Sequence, residues 1–184
     1  MMTKQTKFIL AIVLQVVIIL VIILFKLSIL AGGTEVLLRI EPVDPRSPLR
    51  GDYMTFQYDI SHINSSFFDD PMVKNGDVVY VALRQTGKHW IVQRVYKNRP
   101  PDGEIFMKGK VLYGTVQPQD DVFSFDEFSD SRVQIVYGIE EYFIPEGAGK
   151  SFRFAEKETS ASIIVDEDGN PVLKQIYIDG KRWP

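Results

Sequence analysis

A chain of 184 residues with 45% hydrophobic and 24% charged side chains fits one globular domain plus a short accessory segment. Lys4, Lys7 and Lys26 precede the first acidic residue, Glu35, so the remainder of the chain is acidic by about six charges and lacks the basic balance a nucleic-acid binder needs. No cysteine is present, which excludes disulfides, thiolate zinc sites and cysteine nucleophiles.

The first predicted element is the apolar run from Phe8 to Phe25, eighteen residues whose one polar side chain is Gln15. As a helix it covers roughly 27 Å, close to the hydrocarbon thickness of a bilayer. Lys26 can snorkel and Leu27 to Leu30 prolong the helix into the interface, so residues 8–30 are expected to meet lipid. A cleaved signal peptide is the rival reading. The run exceeds the usual apolar length of such peptides, and Ile29 stands where a small residue should precede Ala31. A long following domain translocates largely regardless of flanking charge, which places the N-terminus in the cytoplasm and the C-terminal domain outside. Residues 1–31 are then a single-pass anchor with its joint, Ala31-Gly32-Gly33 supplying flexibility, and residues 32–184 an extracytoplasmic domain.

After the joint, TEVLLRIE (34–41) reads as a strand. Pro42, Pro45 and Pro48 follow at every third residue, the repeat of a polyproline II helix. On such a rod Asp44 and Arg50 stand roughly 19 Å apart, so they pair only if it bends, whereas Arg46 reaches a neighbouring carboxylate more easily. Two roles are open for Asp44, Arg46, Arg50, Gly51 and Asp52: a brace, with arginine forks donating to carboxylates or carbonyls, or a groove in which Arg46 and Arg50 meet an anionic group between Tyr53 and Tyr58. Met54, Phe56, Tyr58 and Ile60 then alternate with polar neighbours, a second strand.

DVVYVAL (77–83) and HWIVQRVY (89–96) form a predicted hairpin across Gln85-Thr86-Gly87-Lys88. EIFMKGKVLYGTV (104–116), Arg132 to Tyr137, Ser162 to Asp166 and Val172 to Ile178 are further strands, the last two joined across Glu167 to Asn170. Residues 119–130 and 149–158 show no alternation. The expected architecture is mainly β: one antiparallel domain, sandwich-like or a partly closed barrel, behind one N-terminal transmembrane helix.

GDYMTFQY (51–58) is similar to the motif that names the GDYXXLXY proteins, with Phe56 in the leucine position. The resemblance extends to GTEVLLRIEPVDPRSPLRGDY, GDVVYVAL, EYFIPEG and DGNPVLKQIYIDGKRW, nearly the whole chain. It implies a bacterial membrane-anchored protein without an established activity, sometimes associated with polytopic membrane proteins. The stretch from Gly76 to Gly109 also resembles the β scaffold of type I signal peptidases. Gln93 there holds the position of the catalytic lysine, and Ser47 lacks the serine motif, which implies that peptidase activity is absent.

Other chemistry finds little support. His62 and His89, the two histidines, read as structural or solvated, and a zinc site would need carboxylates to complete it. Asp166-Glu167-Asp168-Gly169 lacks the later ligands of a calcium loop and reads as a hairpin turn. No cofactor or metal is expected. The sequence reads as a non-catalytic module that binds or assists envelope components, with a hydrolase or peptidase-like enzyme around Arg46, Arg50 and Asp52 as the alternative.

Overall fold

The computed structural model describes residues 3–42, 53–114, 132–143 and 157–183. Its first element, α1 (Lys4–Gly32), is a helix of 29 residues and therefore about 43 Å long. The apolar span Lys4–Phe25 is long enough to cross a membrane and packs against nothing. The helix runs through Ala31 and Gly32, and β1 (Thr34–Pro42) begins one residue after Gly33, so the expected joint is largely helical.

The remaining described elements are strands apart from one short turn of helix at Ser65–Phe67. In chain order they are β2 (Tyr53–Tyr58), β3 (His62–Asn64), β4 (Val78–Thr86), β5 (His89–Tyr96), β6 (Ile105–Tyr113), β7 (Arg132–Val136), β8 (Glu141–Phe143), β9 (Thr159–Val165), β10 (Pro171–Ile178) and β11 (Lys181–Trp183). All strand pairings are antiparallel and build two sheets, β11-β10-β9-β1-β2-β8 and β3-β7-β6-β4-β5. The mainly β class and the partly closed barrel are thus as the alternation indicates. The β4–β5 hairpin is tighter than expected: Thr86 pairs with His89, leaving Gly87 and Lys88 as a two-residue turn in which Gly87 takes a φ of 62°.

The first sheet curls until its edges approach each other, with the rings of Tyr142 on β8 and Trp183 on β11 6.1 Å apart. Chain passage between sheets occurs at residues 58–62, where β2 leaves the first sheet and β3 joins the second. Inward residues of both sheets form one core, among them Val36, Leu38, Phe56, Tyr58, Met107 and Ile163. The two tryptophans pack against it at half-buried positions.

Gly109 on β6 shows how closely side chains from the adjoining strand β7 cover its own sheet. A Cβ there would lie 2.3 Å from Cγ2 of Ile135 and 3.1 Å from the Tyr137 ring, so glycine clears the space those two side chains fill. Gly109→Ala is expected to lower unfolding free energy by about 1–3 kcal/mol, read by thermal or urea unfolding of the full chain in detergent.

Candidate functional site

The described part of the motif is β2. Phe56 and Tyr58 point into the core at 1% and 0% exposure, while Thr55 and Gln57 stay half-exposed. The leucine position of the motif therefore needs an apolar side chain of core size, and phenylalanine meets that need with its ring 6.4 Å from that of Tyr142. Tyr53 pairs with Phe143 across β2 and β8. Asp44, Arg46, Arg50, Gly51 and Asp52, which the sequence put forward as a brace or a groove, lie outside the described residues.

Tyr58 is half of a reciprocal clasp. Its hydroxyl donates to the Ile139 carbonyl at 2.7 Å, and the hydroxyl of Tyr137, just past β7, donates to the Ile60 carbonyl at 2.7 Å. Each tyrosine thus caps the backbone turn next to the other. Around them, Phe56 N–H donates to the Glu140 carbonyl at 2.7 Å, Tyr137 N–H donates to the Glu140 carboxylate, and Ile135 N–H donates to the Ser61 carbonyl at 2.8 Å. Ser61 closes its own turn, with its Oγ accepting from Tyr58 N–H at 3.1 Å. Burial pushes both phenols well above the usual tyrosine range, so they remain protonated donors at any physiological pH.

Asp59 sits beside the clasp. Burial raises its carboxyl to about 6 despite the opposing pull of Arg39, and its Oδ1 is buried without a hydrogen-bond partner. Because the folded state holds the proton more tightly than the unfolded one, this group's stabilising effect is complete below about pH 4 and is lost as pH rises through about 6.

Next to the clasp, between β2 and β7, lies a cleft of about 410 Å³. Thr55 and Gln57 form one wall, Gln134 and Val136 the other, with Glu141 at one end. Leu112 also lines the cleft and is 43% exposed, because a bulge in the β6–β7 pairing lets Val111 pair with Ile135 and Tyr113 with Gln134, leaving Leu112 without a cross-strand partner. Amide, hydroxyl and aliphatic groups line it together with the carboxylates of Glu140 and Glu141.

A serine and a histidine do meet elsewhere, which sequence spacing could not reveal. His89 on β5 and Ser160 on β9 are buried, with Nε2 and Oγ 3.0 Å apart. The nearest carboxylate, Glu158, approaches that same Nε2 at 4.0 Å and is held by Lys88 at 2.6 Å. A relay needs the acid on the opposite ring nitrogen, so this pair works as a strut between the two sheets. Burial holds the imidazole below its usual range, hence neutral. His62 is half-buried on β3, because the turn at 59–61 hands the inward position to Ile63.

Gln93 is exposed at the bulge of β5, where Ala82 pairs with Arg94 and Leu83 with Val92. The Asp166 carboxylate is spent inside its own turn, accepting from the backbone N–H of Asp168 and from both nitrogens of Asn170. Among the described residues no three His, Asp or Glu side chains are placed to hold a metal ion.

These features define a class: antiparallel β domains tethered to an apolar helix, with a tyrosine-clasped junction between two sheets. Within it the chain belongs to the GDYXXLXY family, whose model, described as GDYXXLXY protein, matches residues 15–176. No curated protein and no solved structure matches the chain.

Tyr58→Phe and Tyr137→Phe each leave a carbonyl without its donor and are expected to cost about 1–3 kcal/mol in urea unfolding. The double variant should depart from additivity by about 0.5 kcal/mol or more, since both hydroxyls hold one junction. Asp59→Asn is expected to abolish a stability loss of about 1–2 kcal/mol between pH 4 and 7, the size allowing for partial solvent screening, when unfolding is followed across that range.

Proposed function

We propose that this protein is a single-pass membrane protein whose β domain lies outside the cytoplasm and acts by binding another envelope component. The reading rests on α1 as an anchor, with its exposed apolar span ending eight residues before β1. One observation carries the binding half. The motif strand commits its inward side chains, Phe56 and Tyr58, to the core and the clasp, while Thr55 and Gln57 wall the cleft.

The cleft's partner is a polypeptide segment of a polytopic membrane protein, the kind of associate the family resemblance implies. Such a segment would present its backbone to the amides of Gln57 and Gln134 and an apolar side chain to Leu112 and Val136. A domain tethered beside the membrane meets such a partner at high effective concentration, so modest contact area suffices.

A photo-crosslinking side chain at Gln57 is expected to give a discrete adduct with a polytopic protein in native membranes, and the same group at exposed Gln85 none. Protease added to intact cells should remove the β domain. Absence of adducts from Thr55, Gln57 and Gln134 alike would contradict the binding site, and a protected domain would contradict the topology. Turnover of peptide or ester substrates by the full chain, lost in Asp52→Asn, would favour the hydrolase reading instead.

A further inference from the structure

Between Phe8 and Phe25 the one side chain of α1 that carries a hydrogen-bonding group is Gln15. Counted along the helix it lies about 10 Å inside Phe8 and about 15 Å inside Phe25, close to the middle of the apolar run. A glutamine side chain is shorter than the lysine and arginine stems that reach back to the interface, so its amide stays among acyl chains. This placement rests on α1 being the membrane anchor.

No described residue partners that amide. Gln15 is exposed, the span around it packs against nothing, and the helix rises roughly 25 Å from it to Gly32, where α1 ends. An amide left in hydrocarbon without donors or acceptors is costly, and lipid tails supply neither. Polar side chains at membrane depth accordingly face other helices and bond across the interface.

The face that carries Gln15 is also the one that permits close approach. Ala11, one turn before it, is the only Gly, Ala, Ser or Thr from Phe8 to Phe25, and a spacing of four sets the two on one face. Small residues let helix backbones come together in lipid, where van der Waals contact and interhelical hydrogen bonds replace the hydrophobic effect as the attraction. Ile18 and Ile22 continue this seam at steps of three and four, the repeat of paired helices, while Val13 and Val17 lie on the opposite face. A polar residue at one position of such a seam fixes which depth meets which.

We propose that α1 pairs in parallel with a second copy of itself, with Ala11 and Gln15 in the seam and the two Gln15 amides exchanging hydrogen bonds across a two-fold axis. The choice of occupant follows from depth and from the chemistry of the amide. A second copy inserted in the same orientation brings Gln15 to the level of Gln15, whereas a helix of another protein would have to carry its own polar side chain there. A primary amide is self-complementary: its carbonyl accepts while its nitrogen donates, so a two-fold pair makes one bond in each direction. Neither group is charged, so like meets like without repulsion.

The test labels the full chain with donor or acceptor fluorophores and follows energy transfer in phosphatidylcholine vesicles as lipid per chain is raised. The native chain is expected to associate as a dimer, and Gln15→Leu to weaken the pairing about tenfold, the size expected of two exchanged amide bonds, while Gln15→Asn keeps most of it. Ala11→Ile should weaken it about threefold or more by holding the backbones apart, with the unfolding temperature of the β domain unchanged in every variant. Because the chain has no cysteine, single introduced cysteines report the face: Ile22→Cys is expected to cross-link chain to chain under a membrane-permeant oxidant, and Val13→Cys is not. Energy transfer no greater than random proximity gives, equal association of Gln15→Leu and the native chain, or equal cross-linking from the two cysteines overturns the proposal. A photo-crosslinking side chain at Ile18 that captures another membrane protein in native membranes, and no second copy of this chain, overturns the second copy as occupant. A chain that fails to enter vesicles contradicts the anchor; one that enters and stays single contradicts only the pairing.

Discussion

Two tyrosine hydroxyls, each donating to a carbonyl beside the other's strand, hold the junction on which this fold depends. Tyr58 belongs to the first sheet and Tyr137 follows the last residue of β7 in the second, so their bonds to Ile139 and Ile60 tie the sheets where the chain crosses between them. A phenol in that position supplies a large apolar body for the core and one directional donor at its tip. Phenylalanine would fill the volume and leave a carbonyl unmet. The last tyrosine of the motif is thereby explained as architecture, and the cleft between β2 and β7 inherits its shape from the same junction.

The strands were legible because alternation is a local property. Met54 to Ile60 carries a period of two, whereas Val78 to Leu83 and Val172 to Ile178 are runs rich in β-branched and other apolar residues, and each is a strand or overlaps one. Short elements escaped: β3, β8 and β11 have three residues apiece, too few to show a period, and exist because a neighbour offers a free edge. The clasp was half visible. Tyr58 stands in the motif, but nothing in the sequence marks Tyr137 as its counterpart, since 77 residues separate Tyr137 from the carbonyl it reaches. Likewise His89 and Ser160 are partners across 71 residues, and only the sheet stacking brings them together.

The domain divides its polar groups between bracing and availability. Ser61, Glu140, Asp166 and His89 are committed to holding turns and sheets. Thr55, Gln57 and Gln134 border one cleft, and Glu104 and Arg99 border another at the end of α1. One residue, Gly33, lies between helix and strand, so the direction of α1 and that of β1 are closely tied.

The tyrosine clasp is the central claim, and amide hydrogen exchange tests it most directly. The Phe56 and Ile135 N–H groups donate to Glu140 and Ser61 on either side of the junction. In the native chain both are expected to exchange only through global opening, and in Tyr58→Phe the Phe56 amide should exchange at least about tenfold faster than core amides of β9, which lie away from the junction. Equal protection of Phe56 and the β9 amides in that variant would contradict the account.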